Sequence, residues 1–291
     1  MSFKKVLLTI TSVALLATSL VACGANNSTT DVSKKDITVI SREEGSGTRG
    51  AFIELTGVQE KDASGKKIDK TTKDAIIANG TDNVLTQVAG NDAAIGYISL
   101  GSLNDTVKAL KVDGVEATSE NVKNGSYKVQ RPFNIATKGT VSEVSQDFID
   151  YIMSKDGQDV IGKSYIPAKD GAAAYAGKKP TGNVVVAGST SVGPIMEKLA
   201  EAYMKVNTNA KVTVQQTDST AGMKATTDGT CDIGMSSREL TDSEKSTLTP
   251  LEIAKDGIAI IVNKANTLSD ATKDMLKNIY NGTTTKWADV K

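Results

Sequence analysis

Strands alternating with helices predict an α/β fold for this chain, and three observations carry that expectation. Ile37-Thr38-Val39-Ile40, Val184-Val185-Val186-Ala187 and Lys211-Val212-Thr213-Val214-Gln215 are short runs rich in β-branched and apolar residues, as strands are. Each leads through a Gly/Ser/Thr turn into a segment with apolar residues at helical spacing. Gly257-Ile258-Ala259-Ile260-Ile261-Val262-Asn263 is almost wholly apolar, as in a strand buried on both faces. In such sheets ligands gather beyond the carboxyl ends of strands, where those turns lie.

Taken in order, residues 1–22 read as a targeting segment outside the fold. Lys4 and Lys5 precede an apolar run over residues 6–21. Leu20-Val21-Ala22-Cys23 resembles the lipobox of bacterial lipoproteins, in which the signal is cut before a cysteine that is lipidated. A plain secretory signal is the alternative. Residues 23–35 form a polar tether rich in Ser, Thr and Asn.

The first strand, turn and helix run from Ile37 to Leu55. Residues 57–83 are polar and loop-rich, with one helix expected over 71–78. A short helix is expected over 84–88, a strand over 94–100 and a half-buried strand over 107–112 that Asp113-Gly114 ends. Residues 131–137 read as extended. From Ser142, the spacing of Val144, Phe148, Tyr151 and Ile152 predicts a helix, broken at Gly157 and resumed through Ile161. Residues 168–182 shift to Ala, Gly, Lys and Pro and read as a linker.

The second strand runs into Gly188-Ser189-Thr190-Ser191 and a helix with Val192, Ile195, Met196, Leu199 and Tyr203 on one face. Pro194 is tolerated in its first turn. The third strand meets Asp218-Ser219-Thr220-Ala221-Gly222 and a short helix around Met223. Cys231-Asp232-Ile233-Gly234-Met235 is a strand leading into Ser236-Ser237-Arg238. An amphipathic helix with Met275, Leu276 and Ile279 spans 270–280.

Composition narrows the chemistry. The 291 residues suffice for two domains, and 34 basic against 34 acidic residues give no reason to expect nucleic acid. Histidine is absent, which removes the usual general base and the commonest metal ligand. Neither a P-loop nor a G-x-S-x-G elbow occurs. No cofactor or metal is expected, although a Ser–Lys hydrolase remains open. Cys231 reads as a small core residue without chemical duty.

The turn at Gly45-Ser46-Gly47-Thr48 brings backbone N–H groups and two hydroxyls to a helix N-terminus, which suits an anion. Arg42 and Arg49 flank it, and a guanidinium fork fits an oxyanion. An ordinary Gly/Ser turn fits the same residues. Glu43 and Glu44 are neighbours on a strand and point to opposite faces, so one is expected to be buried and the other solvated.

These residues resemble the phosphate-binding lipoproteins of bacterial ATP-driven phosphate importers. The matching stretches are Ser41-Arg42-Glu43-Glu44-Gly45-Ser46-Gly47-Thr48-Arg49, Gly188-Ser189-Thr190-Ser191-Val192, Asp232-Ile233-Gly234-Met235-Ser236-Ser237-Arg238-Glu239-Leu240 and the run from Asp256 to Asn263. The resemblance implies a type II periplasmic-binding-protein-like fold of two α/β lobes with the ligand in the interlobe cleft. In the family the first two motifs usually occur in the opposite order, so circular permutation is expected. One lobe would then be continuous over 128–262, including the linker 168–182, and the other assembled from 36–127 and 263–291.

By the same resemblance Arg42, Ser46, Gly47, Thr48, Thr190, Ser191, Ser219 and Ser237 would bind phosphate. Some members carry an aspartate in place of Ser237 that accepts the proton of monohydrogen phosphate. Asp218 or Glu43 would have to supply that acceptor here. The implied protein is a monomer, not an enzyme, lipid-anchored through Cys23 to the outer face of the cell membrane, and it delivers phosphate to the importer's permease subunits. A binding protein for another oxyanion such as sulfate is the nearest alternative, and a surface adhesion or signalling module a more distant one.

Overall fold

The computed structural model describes residues 31–290, so Cys23 and the lipobox lie outside the described residues. The main strands are β1 (Thr38–Arg42), β2 (Ile76–Ala78), β3 (Ala94–Ser99), β4 (Gln130–Thr137), β5 (Gly182–Ser189), β6 (Ala210–Thr217), β7 (Ile233–Ser236) and β8 (Thr249–Val262). Between them lie the helices α1 (Gly47–Leu55), α2 (Thr81–Gly90), α3 (Glu143–Met153), α4 (Lys155–Ile161), α5 (Gly193–Val206) and α6 (Ser219–Asp228), with α7 (Lys273–Tyr280) after the last strand. The strands are ordered β6-β5-β7-β4-β8-β3-β1-β2. This is the expected α/β architecture.

β5 pairs in parallel with β6 and β7, and β1 in parallel with β2 and β3. The two parallel groups are joined by the antiparallel strands β4 and β8. One core, with Phe133, Phe148, Ile195, Leu199 and Ile233, lies in the continuous half. In the other half Phe52, Tyr97, Ile260 and Tyr280 pack beneath one face of the sheet, and Ile40, Val84, Ile98 and Ile261 pack on the other. A sheet covered on both faces explains why residues 258–262 are apolar at every position.

β8 divides between the halves. Thr249 to Gly257 pairs with β4, whereas Ile258 to Val262 pairs with β3. Residues 258–262, expected in the continuous lobe, therefore belong to the other half. Apolarity alone does not reveal which neighbour a strand will choose.

Three local expectations are corrected. Residues 71–78 are a turn and a strand rather than a helix. Asp69 accepts the Thr71 N–H and hydroxyl, and the β-branched pair Ile76-Ile77 extends along β1 at the sheet edge. Residues 107–112 form two short strands, Lys108–Ala109 and Lys111–Val112, that pair with different partners. The break between α3 and α4 falls at Ser154, whose hydroxyl caps α4 by accepting the Gly157 N–H.

The segment 168–182 is laid against the continuous half. Asp147, nearly buried on α3, accepts the hydroxyls of Tyr175 and Tyr203 and the N–H of Lys178. Asp156 accepts the Tyr175 N–H, and Ala173 accepts that of Lys155. No helix among the described residues is long and apolar enough to cross a membrane.

Candidate functional site

At the carboxyl end of β1 the chain buries Arg42 to 1% exposure, and a buried guanidinium must be partnered. Its Nε donates to Glu43 Oε2 at 2.8 Å and its Nη2 to Glu43 Oε1 at 2.6 Å, a two-point fork. Thr190 Oγ1 of the other half accepts from Nη2 at 3.0 Å, and Thr81 Oγ1, in the same half as Arg42, lies 3.5 Å from Nη1. Burial pushes the Glu43 carboxyl up, but Arg42's hydrogen bonds and charge outweigh it, aided by the N–H groups of Glu43 and Gly80. The carboxyl is held below its usual range.

Hydroxyls from both halves then close on one another. Thr48 Oγ1 lies 2.8 Å from Ser191 Oγ, which is 3.4 Å from Thr81 Oγ1. Ser219 and Ser237 hydroxyls are 3.4 Å apart, and the Ser237 N–H donates to Ser219 Oγ at 3.1 Å. Gly47 faces this pair so closely that a Cβ there would overlap Ser219 Oγ and stand 2.7 Å from Ser237 Oγ. Ser191, Ser219 and Ser237 are fully buried.

Helix termini point the same way. Ser46 caps α1 by accepting the Arg49 N–H, which leaves its own proton free to donate. Asp218 caps α6 by accepting the Ala221 N–H at 2.8 Å. Neither α2, capped by Gly80 at φ +81°, nor α5 has a side-chain cap. Their first-turn N–H groups are therefore not engaged by a capping side chain. Gly188, at φ +137°, lets β5 lie against Met235 before turning toward Ser189 and Thr190. Guanidinium, hydroxyl and amide donors thus converge on one spot, an arrangement complementary to a tetrahedral oxyanion.

Arg42, Gly47, Thr48, Thr190, Ser191, Ser219 and Ser237 lie together in the structure, with Ser46 at the cap beside them. Asp218 lies against Gly45, where a Cβ would stand 2.6 Å from its Cγ. Glu43 is half-buried in the Arg42 fork, while Glu44 is exposed. Arg49 departs from the expected cradle: its Nε donates to Asp69 Oδ2 at 2.8 Å and its Nη1 to the Arg42 carbonyl at 2.8 Å. Thr81 was missed. Its signal, Gly80-Thr81 at the head of a helix, follows the pattern of the other turns, but it lay inside a stretch read as loop.

The chain belongs to the PBP superfamily, whose domain model matches residues 26–156 and 173–291. Among its relatives, "Phosphate-binding protein PstS 2" of Streptococcus agalactiae serotype V is 51% identical over 273 residues, covering 93% of each chain. "Phosphate-binding protein PstS 2" of Streptococcus pneumoniae serotype 4 is 47% identical over 293 residues, covering both chains fully. The crystal structure of a phosphate ABC transporter phosphate-binding protein from Streptococcus pneumoniae TIGR4 superposes with a TM-score of 0.71. It is 48% identical and is matched over 88% of this chain and 100% of its own.

Proposed function

We propose that this protein captures inorganic phosphate outside the cytoplasm and delivers it to the membrane subunits of an ATP-driven importer, without chemical conversion. The observation that carries this reading is the meeting of Arg42, Thr48 and Thr81 with Thr190, Ser191, Ser219 and Ser237 in one largely buried cluster between the halves. Relatives that cover 93% and 100% of the chain and are named for phosphate binding support it. Charge-assisted hydrogen bonds contribute roughly 1.5–3 kcal/mol each. Several of them, less the cost of ordering, reach about −8 kcal/mol, or micromolar affinity. In this reading Cys23 carries a lipid anchor and the protein acts as a monomer.

Calorimetric titration tests the assignment. Phosphate is expected to bind the wild type, and Arg42→Ala to weaken binding by roughly 30-fold or more, since it removes about 2 kcal/mol and leaves Glu43 facing the anion unpaired. Phosphate heat unchanged in that variant, or absent from the wild type, refutes the reading. Turnover of a chromogenic ester would favour the hydrolase instead.

Selectivity against sulfate requires an acceptor for the proton that phosphate carries. We assign that acceptor to Asp218 or Glu43, the carboxylates beside the Gly45 turn. Asp218→Asn or Glu43→Gln is expected to raise sulfate affinity relative to phosphate by tenfold or more, read by competition titration. An unchanged ratio in both variants returns the role to the hydroxyls of Ser219 and Ser237, which can accept as well as donate.

The order of the motifs is, in this reading, a circular permutation of the family's usual order. The proximity of the two ends of the described chain supports it. Asp36 bridges Lys286, the Ile37 N–H donates to the Thr285 carbonyl, and the Trp287 N–H to that of Lys35.

A further inference from the structure

Arg131 on β4 and Asp256 on β8 stand directly opposite each other where the two strands cross between the halves of the molecule. Both side chains are 1% exposed. The guanidinium donates through Nε at 3.3 Å and Nη2 at 3.1 Å to the same carboxylate oxygen, Asp256 Oδ2. The remaining contacts run in opposite directions. Arg131 Nη1 donates at 3.1 Å to the carbonyl of Ser237, in the continuous half. Asp256 Oδ1 accepts the Ser99 hydroxyl at 3.0 Å and lies 3.5 Å from the Gly101 N–H, both at the end of β3 in the other half.

We propose that Arg131 and Asp256 are positioning residues for the bound anion. Together they tie the Ser237 turn to the end of β3 across the paired strands β4 and β8 and so hold the Ser219–Ser237 hydroxyls against Gly47. Holding the Ser237 carbonyl restricts the backbone of that residue, whose N–H donates to Ser219 Oγ and whose hydroxyl lies beside it. The inference rests on the phosphate reading given above.

A contribution to folding does not account for the pair. Burial pushes the Asp256 carboxyl up to about 6 against the pull of Arg131, Ser99 and Gly101, and burial likewise lowers Arg131. Burial thus works against both charges, and buried ion pairs of this kind are often no more stabilising than well-packed apolar residues. What the pair supplies is geometry: one planar fork reaching a carboxylate and a carbonyl at once.

Two variants test this by phosphate calorimetry and thermal melting of the full chain. Arg131→Lys keeps the charge for Asp256 but loses the fork that also reaches Ser237. It is expected to bind phosphate about tenfold more weakly with a melting temperature close to wild type. The paired replacement Arg131→Met with Asp256→Leu is expected to melt at or above the wild-type temperature and also to bind at least tenfold more weakly. Wild-type affinity in either folded variant overturns the proposal. Failure of both to fold overturns it as well, because the pair would then be a determinant of the fold. A wild type that takes up no phosphate refutes the binding reading itself, an outcome distinct from a binding wild type with unaffected variants.

Discussion

Arg42 meets a structural demand at the spot where the proposed function calls for a cation. Its burial requires a counter-charge, and Glu43 supplies it with two hydrogen bonds at 2.8 and 2.6 Å. The cost of desolvating the guanidinium is thus offset before any anion arrives, and the oxyanion itself would be held mainly by dipoles. Those dipoles include Thr81, which is 4% exposed beside Ser191, Thr190 and Arg42. Thr81→Val keeps the shape and removes the hydroxyl. Phosphate affinity is expected to fall about fivefold, the worth of a hydrogen bond of roughly 1 kcal/mol, with little change in melting temperature. Unchanged affinity would remove Thr81 from the site.

Elements place these residues through their ends rather than their faces. β1, β2, β5 and β6 each end where a helix begins, so that α1, α2, α5 and α6 present their N-termini beyond the carboxyl ends of the strands. The segment 168–182 does the opposite: it has no regular structure before β5, yet it is fastened at defined points. Asp147 alone takes Tyr175 and Lys178 from the segment together with Tyr203 of α5. Asp147→Ala is expected to lower stability by about 2–3 kcal/mol, since three donors lose a charged acceptor. It should also hasten proteolysis between residues 168 and 181, while phosphate affinity stays near wild type. Proteolysis at the wild-type rate would show that the segment is held by other contacts.

For the molecule as a whole, the crossing strands decide how its two halves meet. β8 pairs with β4 over its first part and with β3 over its last, so one strand belongs to both cores. The two ends of the described chain meet across Asp36 and Lys286. A rearranged protein is therefore expected to fold, in which a short linker joins residue 290 to residue 36 and new ends open within residues 170–178. It should melt within a few degrees of the original and bind phosphate with similar affinity, because every strand keeps its neighbours. Loss of either property would show that the present chain order is itself required.

Much of this was legible in the sequence because it is local. The turn over residues 45–48 before α1, Pro194 at the head of α5 and the unbroken apolarity of residues 258–262 are written in short-range residue choice. So were the Gly/Ser/Thr turns that meet between the halves. The edge strand at Ile76 was misread because turn chemistry and pairing with β1 outweighed helical spacing. Arg49 left the expected cradle because Asp69, 20 residues away, holds it at 2.8 Å. Sequence alone determined which segments carry Gly/Ser/Thr turns with their hydroxyl and amide donors. Tertiary structure alone decided that Thr81 joins them and that Arg131 meets Asp256, since those contacts link residues 109 and 125 positions apart and exist only once the chain has closed.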